Sequence, residues 1–272
     1  ADGRVHLPHG DASETDYQLV KTTSGKISAI AVDSTSSKVY WTDRTNDELW
    51  VADLSTFGDA EALQTGLGEP HDIAVAEAAD TLYWTDKTNG RVYVSTDGGL
   101  TASTLIDGLD EPVGVALDAK NAHLYVSDYG AQAIYRYDSA GDASSRKVFQ
   151  DATTGLALPR SLLVDDSSET IFWVEVSGAD SDSITSGTLR SAALGTLLST
   201  AVSTLATNLT DPDSVAMPSS SEVLVTDEDN NRLYAVSTAA SGGTGQRALL
   251  HAAGPRALAV YSQATALAAL AA

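Results

Sequence analysis

The 272-residue sequence predicts an all-β fold, a six-bladed β-propeller of four-stranded antiparallel blades. Three observations carry that expectation. A short aromatic and acidic segment returns at a period of roughly 40–50 residues, the mark of a repeat architecture. A proline precedes an apolar run at a constant offset in five places. The two ends of the chain read as complementary halves of one repeat.

The returning segment is Lys38-Val39-Tyr40-Trp41-Thr42-Asp43, repeated as Leu82-Tyr83-Trp84-Thr85-Asp86. Weaker copies follow at Leu124-Tyr125-Val126-Ser127-Asp128, Ile171-Phe172-Trp173-Val174-Glu175 and Leu224-Val225-Thr226-Asp227. Five of the seven prolines, Pro70, Pro112, Pro159, Pro212 and Pro255, stand just before an apolar stretch, as in Pro70 before Ile73-Ala74-Val75. The first copy has Ile27 where proline would stand. Proline at the mouth of a strand forfeits no ladder hydrogen bond and fixes φ. Near-continuous apolar runs rather than strict alternation indicate strands buried on both faces.

Turn residues such as Asp33-Ser34-Thr35-Ser36-Ser37 join each proline strand to the aromatic strand. A polar loop and a third alternating strand follow, for example Arg91-Val92-Tyr93-Val94-Ser95, and then a fourth that runs into the next proline. Gly178 to Ser183 reads as a surface insertion between the second and third strands of the fourth repeat. Gly3 to Leu7 resembles a third strand and Tyr17 to Lys21 a fourth, whereas Pro255 to Val260 reads as a first strand. Thr265 to Leu270 stands in register for a second strand, although the Ala/Leu composition of Ala264 to Ala272 also suits a short helix or a frayed tail. The expectation is one domain over residues 1–272, with a closing blade made from 1–25 plus 255–272, which would leave no exposed sheet edge.

With 37 acidic against 16 basic residues, the formal charge is −21, which argues against nucleic acid or an anionic membrane as partner. Without cysteine there are neither disulfides nor thiolate metal sites. No apolar run is long enough to insert in a membrane. The chain starts at Ala1-Asp2-Gly3, which suggests a processed N-terminus and a secreted or extracytoplasmic protein. Asn208-Leu209-Thr210 is a glycosylation sequon of the kind that a Thr-rich chain produces by chance. A monomer is expected, with an unknown protein or small-molecule ligand as partner.

The proline and Tyr-Trp-Thr-Asp pair resembles the YWTD repeats of the low-density-lipoprotein receptor family, whose members form six-bladed propellers. The resemblance spans nearly the whole chain and weakens toward the C-terminus. It implies that Tyr40, Trp41, Asp43, Tyr83, Trp84, Asp86, Asp128 and Asp227 are structural, the aromatics packing between blades and the acids holding backbone. Glu175 would be a longer substitute. The family's receptors carry cysteine-rich modules that are absent here, so endocytic-receptor function does not transfer. More distant resemblance extends to gluconolactonase/regucalcin-like hydrolases, strictosidine-synthase-like proteins and lyases, which place a cation or acid–base residues at the central channel.

In such a fold the residues around each proline form the channel rim. Lys26, Glu69, Glu111, Arg160, Asp213 and Arg256 are therefore candidate ligand-binding residues, with Ser28, Ser161 and Ser214 beside them. Arg44, Lys87, Tyr129 and Glu228 follow the second strands nearby. Arg160, Arg256 and His71 together suit a carboxylate or other anion. His71 beside Asp72 is the candidate catalytic acid–base pair, since imidazole titrates near neutrality. Glu69, Asp72 and Asp213, with Glu111, offer hard oxygens, so calcium is the one candidate cofactor. The run Asp227-Glu228-Asp229-Asn230-Asn231 lacks the glycine and distal glutamate of an EF-hand loop. No P-loop, dinucleotide fingerprint, nucleophile elbow or His-Glu-x-x-His is present. The leading expectation is an extracellular binding or scaffold propeller with its site on the proline-side rim. The alternatives are a channel-centred, lactonase-like hydrolase or lyase assisted by calcium, or a carbohydrate-binding protein using exposed aromatics such as Trp50 and Tyr129. Whether the protein is an enzyme stays open at this point.

Overall fold

A computed structural model describes residues 3–8, 17–23, 25–54, 60–76, 79–139, 142–178, 184–239, 242–243, 245–251, 258–261 and 266–269, with side chains for those between 25 and 249 except 142–143. The first strands, β1 (Gly3–Pro8) and β2 (Tyr17–Thr23), pair as a hairpin. Blade 1 is β3 (Ile27–Asp33), β4 (Lys38–Asp43), β5 (Glu48–Asp53) and β6 (Glu61–Thr65). Blade 2 is β7 (Pro70–Ala76), β8 (Thr81–Asp86), β9 (Arg91–Ser95) and β10 (Ser103–Ile106). Blade 3 is β11 (Pro112–Asp118), β12 (His123–Asp128), β13 (Ala133–Asp138) and β14 (Asp142–Asp151).

Blade 4 is β15 (Leu158–Asp165), β16 (Thr170–Gly178), β17 (Ile184–Ala193) and β18 (Ser203–Leu209). Blade 5 is β19 (Pro212–Ser219), β20 (Glu222–Asp227), β21 (Arg232–Ser237) and β22 (Gln246–His251). A second hairpin, β23 (Leu258–Tyr261) with β24 (Ala266–Ala269), completes the set. All blade pairings are antiparallel and follow chain order. The insertion expected at Gly178 to Ser183 falls at the β16–β17 connection, and its residues 179–183 lie outside the described ones.

Five four-stranded blades are found, which corrects the six-bladed expectation. The strands assigned to a closing blade form two separate two-stranded sheets, β1–β2 and β23–β24. β24 lies beside β1, yet no ladder joins them among the described residues. The composition of the last strand supplies the physical reason. Ala266-Leu267-Ala268-Ala269 has no aromatic ring to pack on a neighbour and no carboxylate to hold a loop.

In the complete blades the motif strand carries the carboxylate, and in blades 1 to 4 it carries a ring as well. Apolar clusters lie between them: Tyr40 and Leu49 of blade 1 meet Ile73, Leu82 and Trp84 of blade 2, and Tyr83 and Val92 of blade 2 meet Val115, Leu124 and Val126 of blade 3. The pattern continues with Tyr125 and Phe149 against Leu162 and Trp173, then Phe172 and Leu189 against Val215 and Val225. Two of the motif tyrosines keep their hydroxyls bonded at these junctions: Tyr83 donates to Ser139 O (3.3 Å) and Tyr125 to Leu194 O (3.2 Å). Two motif tryptophans stack inside their own blade, Trp41 on Trp50 at 6.1 Å and Trp84 on Tyr93 at 5.6 Å.

The inner strands β3, β7, β11, β15 and β19 touch in that order, and β23 touches both β19 and β3, so together they ring a central channel. Blade 2 therefore stands across the channel from blade 5, and blade 1 from blade 4. Every blade's inner strand carries a register shift just after its proline position: Ile27/Ala29, Pro70/Ile73, Pro112/Gly114, Pro159/Leu162 and Pro212/Val215. A bulge breaks the in–out alternation and re-aims side chains, and here it does so at one level around the channel.

Candidate functional site

The bulges are held by the hydroxyl of the aromatic motif. Thr85 Oγ1 accepts from Asp72 N (2.9 Å) in its own blade and donates to Val113 O (3.0 Å) in the next. Thr42 does the same between Ala29 N (3.0 Å) and His71 O (3.2 Å), and Ser127 between Gly114 N (2.7 Å) and Arg160 O (2.6 Å). At Gly114 a side chain is forbidden, because a Cβ there would lie 2.3 Å from Arg160 O. Thr226 serves Ser214 N (2.9 Å). In blade 4 the motif residue is Val174, which has no hydroxyl, and blades 4 and 5 are joined instead by Val215 N donating to Ser161 Oγ (3.4 Å).

The motif acids hold the loops that lead into the inner strands. Asp128 accepts from Asp110 N and Glu111 N, both at 3.0 Å, and Asp227 from Thr210 N (2.9 Å) and Asp211 N (3.0 Å). Asp86 accepts from Gly68 N (2.8 Å), whereas the bonds of Asp43 from Thr45 N (3.2 Å) and Asn46 N (3.1 Å) hold the turn between β4 and β5. All four carboxylates are buried, and several N–H donors are what make burial of such charges tolerable. Glu175, the longer substitute, accepts from Ala157 N (3.5 Å) in the loop before β15, and also takes Trp173 Nε1 (3.1 Å) and pairs with Arg190 (2.6 Å). Beside these loops Glu69 sits at φ 66°, a strained left-handed conformation for a side-chain-bearing residue, with its N–H on Asp47 Oδ1 (3.0 Å).

Together these devices shape a cavity of about 480 Å³ at the proline-side mouth of the channel. Blade 1 contributes Lys26, Arg44 and Thr45, and blade 2 contributes Glu69, His71 and Lys87. Val113 and Tyr129 of blade 3 form an apolar wall, continued by Leu158 and Val176. Blade 4 supplies Arg160, and blade 5 Asp211, Asp213 and Glu228. Below lies a waist lined by Ser28, His71, Asp72, Val113, Ser161, Asp213 and Ser214, with room for about one water-sized sphere, 10 Å³. Beneath the waist the channel widens to about 270 Å³ between apolar rows such as Ile73 to Val75 and Val215 to Met217.

Lys26, Glu69, His71, Arg160 and Asp213 thus line one cavity, while Glu111 stands at its edge, 3.5 Å from Lys87. Arg256 lies outside the described residues. Thr45 and Val113 line the cavity without any advance signal, because one is a turn residue and the other an ordinary strand valine. The expected acid–base pair does not form. His71 Nε2 faces Arg44 Nη1 at 3.1 Å, and the Asp72 carboxylate accepts from Ile73 N (2.8 Å) and Val115 N (3.0 Å). Burial, and then the Arg44 guanidinium, pulls His71 down to about 3, so its imidazole is neutral at neutral pH and accepts from Arg44. Burial pushes Asp72 up to about 7 against its two N–H donors, with Asp213 adding to the rise.

The expected Arg160, Arg256 and His71 anion clamp is also revised. Arg160 Nη1 donates to Asp211 Oδ1 (2.6 Å) and Pro212 O (3.1 Å) and lies 3.7 Å from Asp213 Oδ1. Burial opposes its charge, but Asp213 and Asp211 outweigh that and hold the guanidinium protonated. Among the described residues no three Asp, Glu or His side chains gather as a metal site. Glu69 lines the cavity and Asp72 the waist, so the calcium set of Glu69, Asp72 and Asp213 is divided. The Asp227 to Asn231 run closes on itself, Asn230 Nδ2 donating to Asp227 (3.0 Å). Tyr129 is buried and Trp50 half-buried against Trp41, so neither is the exposed sugar platform the carbohydrate alternative needs.

No family model matches the chain. Among solved structures it is similar to a chain of the nidogen/laminin complex, with TM-score 0.77 and 22% identity over 97% of this chain and 100% of that one. Virginiamycin B lyase from Staphylococcus aureus matches with TM-score 0.68 and 12% identity over 99% of this chain and 95% of that one. An auxiliary nutrient binding protein from Bacteroides thetaiotaomicron matches with TM-score 0.65 and 13% identity, over 86% of this chain and 64% of that one. These likenesses show a β-propeller and nothing finer about chemistry. Among the described residues no helix is long and apolar enough to cross a membrane.

Proposed function

We propose that this protein is a binding propeller that holds a small charged ligand, or a charged group of a partner, in the cavity at the proline-side mouth. The observation that carries this reading is the composition of the walls. Four cationic side chains (Lys26, Arg44, Lys87, Arg160) and four anionic ones (Glu69, Asp211, Asp213, Glu228) line one concavity of a protein whose net charge is −21. A volume of about 480 Å³ falls within the range of small-molecule sites. The hydrolase or lyase alternative, with His71 acting beside rim carboxylates, is the less supported reading, since His71 Nε2 is engaged by Arg44 and the Asp72 carboxylate by two backbone N–H groups. The Tyr-Trp-Thr-Asp repeats, of the kind found in receptor-type propellers, support an extracytoplasmic setting; cell fractionation that leaves the protein in the cytosol overturns that part.

The test is a thermal-shift screen of polar metabolites on the protein and on Thr45→Trp. Thr45 is exposed at the cavity edge, so the indole covers the mouth without entering the core. Compounds that raise the melting temperature of the wild type and lose that effect in Thr45→Trp support the reading. A screen in which every hit stabilises both proteins alike, or none stabilises either, overturns it.

A further inference from the structure

We propose that the ligand is a small amphipathic monocarboxylate, its carboxylate gripped by Arg44 of blade 1 beside Lys87 of blade 2, its apolar body laid along blade 3. The proposal rests on the binding reading above and names the ligand class for that cavity. The residue after each motif acid occupies the same station around the mouth. Its N–H donates to the carbonyl just before the inner strand: Arg44 to Lys26 O (3.0 Å), Lys87 to Glu69 O (3.1 Å), Tyr129 to Glu111 O (2.8 Å) and Glu228 to Asp211 O (3.0 Å). In blade 4 the station is Val176, paired with Leu158 at the start of β15. Four consecutive blades therefore read arginine, lysine, tyrosine, valine, and Glu228 completes the five. The cations fall on blades 1 and 2, and the apolar cluster of Val113, Tyr129, Leu158 and Val176 on blades 3 and 4. Lys87 Nζ stands 6.0 Å from the Tyr129 ring centroid, so the two sectors adjoin.

Arg44 is the cation with donors to spare. Among the described residues its one side-chain hydrogen bond is to His71 Nε2, at 3.1 Å, and no carboxylate lies within ion-pair distance of it. Arg160, in the same cavity, is by contrast tied to Asp211 (2.6 Å), Asp213 (3.7 Å) and Pro212 O (3.1 Å). With Nη1 on His71, the Nε–Nη2 edge of Arg44 keeps two parallel N–H groups, which match the two oxygens of a carboxylate. The neutral imidazole fixes the guanidinium without cancelling its charge. Lys87 is held at 3.5 Å by Glu111, an exposed acid in a pair of the weakly coupled kind, and so can turn to a ligand. A bare anion would leave the Val113 and Tyr129 wall to water, and a bare hydrocarbon would leave Arg44 without its partner. An amphipathic acid covers both.

Calorimetric titration with the straight-chain carboxylates from acetate to hexanoate and with phenylacetate, each beside its carboxamide and the matching alkylamine, tests this directly. The expected result is that each acid binds at least tenfold more tightly than its amide, with affinity rising by about twofold or more per added methylene. Arg44→Gln should weaken acid binding by about tenfold or more while leaving the amides unchanged, and Arg44→Lys should recover part of the loss. Amides or amines that bind as tightly as the acids overturn the proposal, and so does an affinity for acids that ignores chain length. An Arg44→Gln protein that keeps the wild-type melting temperature and wild-type affinity overturns it as well. If Arg44→Gln fails to fold, the comparison of acid with amide on the wild type decides alone. A blank series alongside a different compound that Thr45→Trp excludes sinks the carboxylate and leaves the binding reading standing; a blank series and a blank screen sink both.

Discussion

Burial acts in opposite directions on two adjacent residues, lifting Asp72 to about 7 and lowering His71 to about 3. A carboxyl whose folded pKa lies above its unfolded value of about 4 stabilises the fold fully below that value, and its contribution is lost as pH rises through the folded value. Relative to Asp72→Asn, the wild type should therefore lose melting temperature between about pH 4 and pH 7. Parallel curves for the two proteins would sink this assignment. The asparagine costs one of the two N–H bonds at every pH, so it lowers stability as a constant while removing the slope. A depressed histidine works the other way, its contribution being present above about 6.5 and lost as pH falls toward the folded value. His71→Gln should accordingly flatten the acid limb of the same curve. The presence of His71, Asp72 and Arg160 near a channel was legible from the proline offset. Their partners were not, because Arg160 answers to Asp211, fifty-one residues away in another blade.

The working unit at the scale of elements is the junction between blades. Thr85 is fully buried and bridges a bulge N–H to the next blade's carbonyl. Thr85→Val keeps the shape and orphans both backbone groups, so it should cost about 2 kcal/mol, read as a lower denaturation midpoint at unchanged slope. A midpoint within error of the wild type would show that water or relaxation satisfies those groups. The repeat itself was legible because a strand's face pattern and a proline's φ are local properties. The hydroxyl's second bond was not, since the carbonyl it reaches lies in a different repeat, 28 residues on from Thr85.

A net charge of −21 on 272 residues, taken over the whole molecule, implies self-repulsion that the fold must outweigh. Added salt screens that repulsion over a Debye length of about 10 Å at 0.1 M. The melting temperature should therefore rise between low salt and about 0.5 M sodium chloride. A flat or falling profile would mean that screened attractive pairs, such as Lys87 with Glu111, outweigh the excess. The blade count belongs to this scale too. Counting first strands suggested six, and five four-stranded blades are present; the last strand, Ala266–Ala269, lacks the acid that ends the motif strand of the others.

The order of amino acids by itself determined the four-stranded antiparallel repeat and the ring of polar side chains that follows each proline. Both come from short-range causes: alternation along a strand, a fixed φ, turn chemistry. Only the tertiary structure decided the number of complete blades, the different partners taken by His71 and Asp72, and the exchange of Arg160 for Arg44 as the cation without a carboxylate partner among the described residues. Charge pairing depends on distances of a few ångströms between blades that are far apart in sequence. Those distances exist only once the inner strands have closed around the channel.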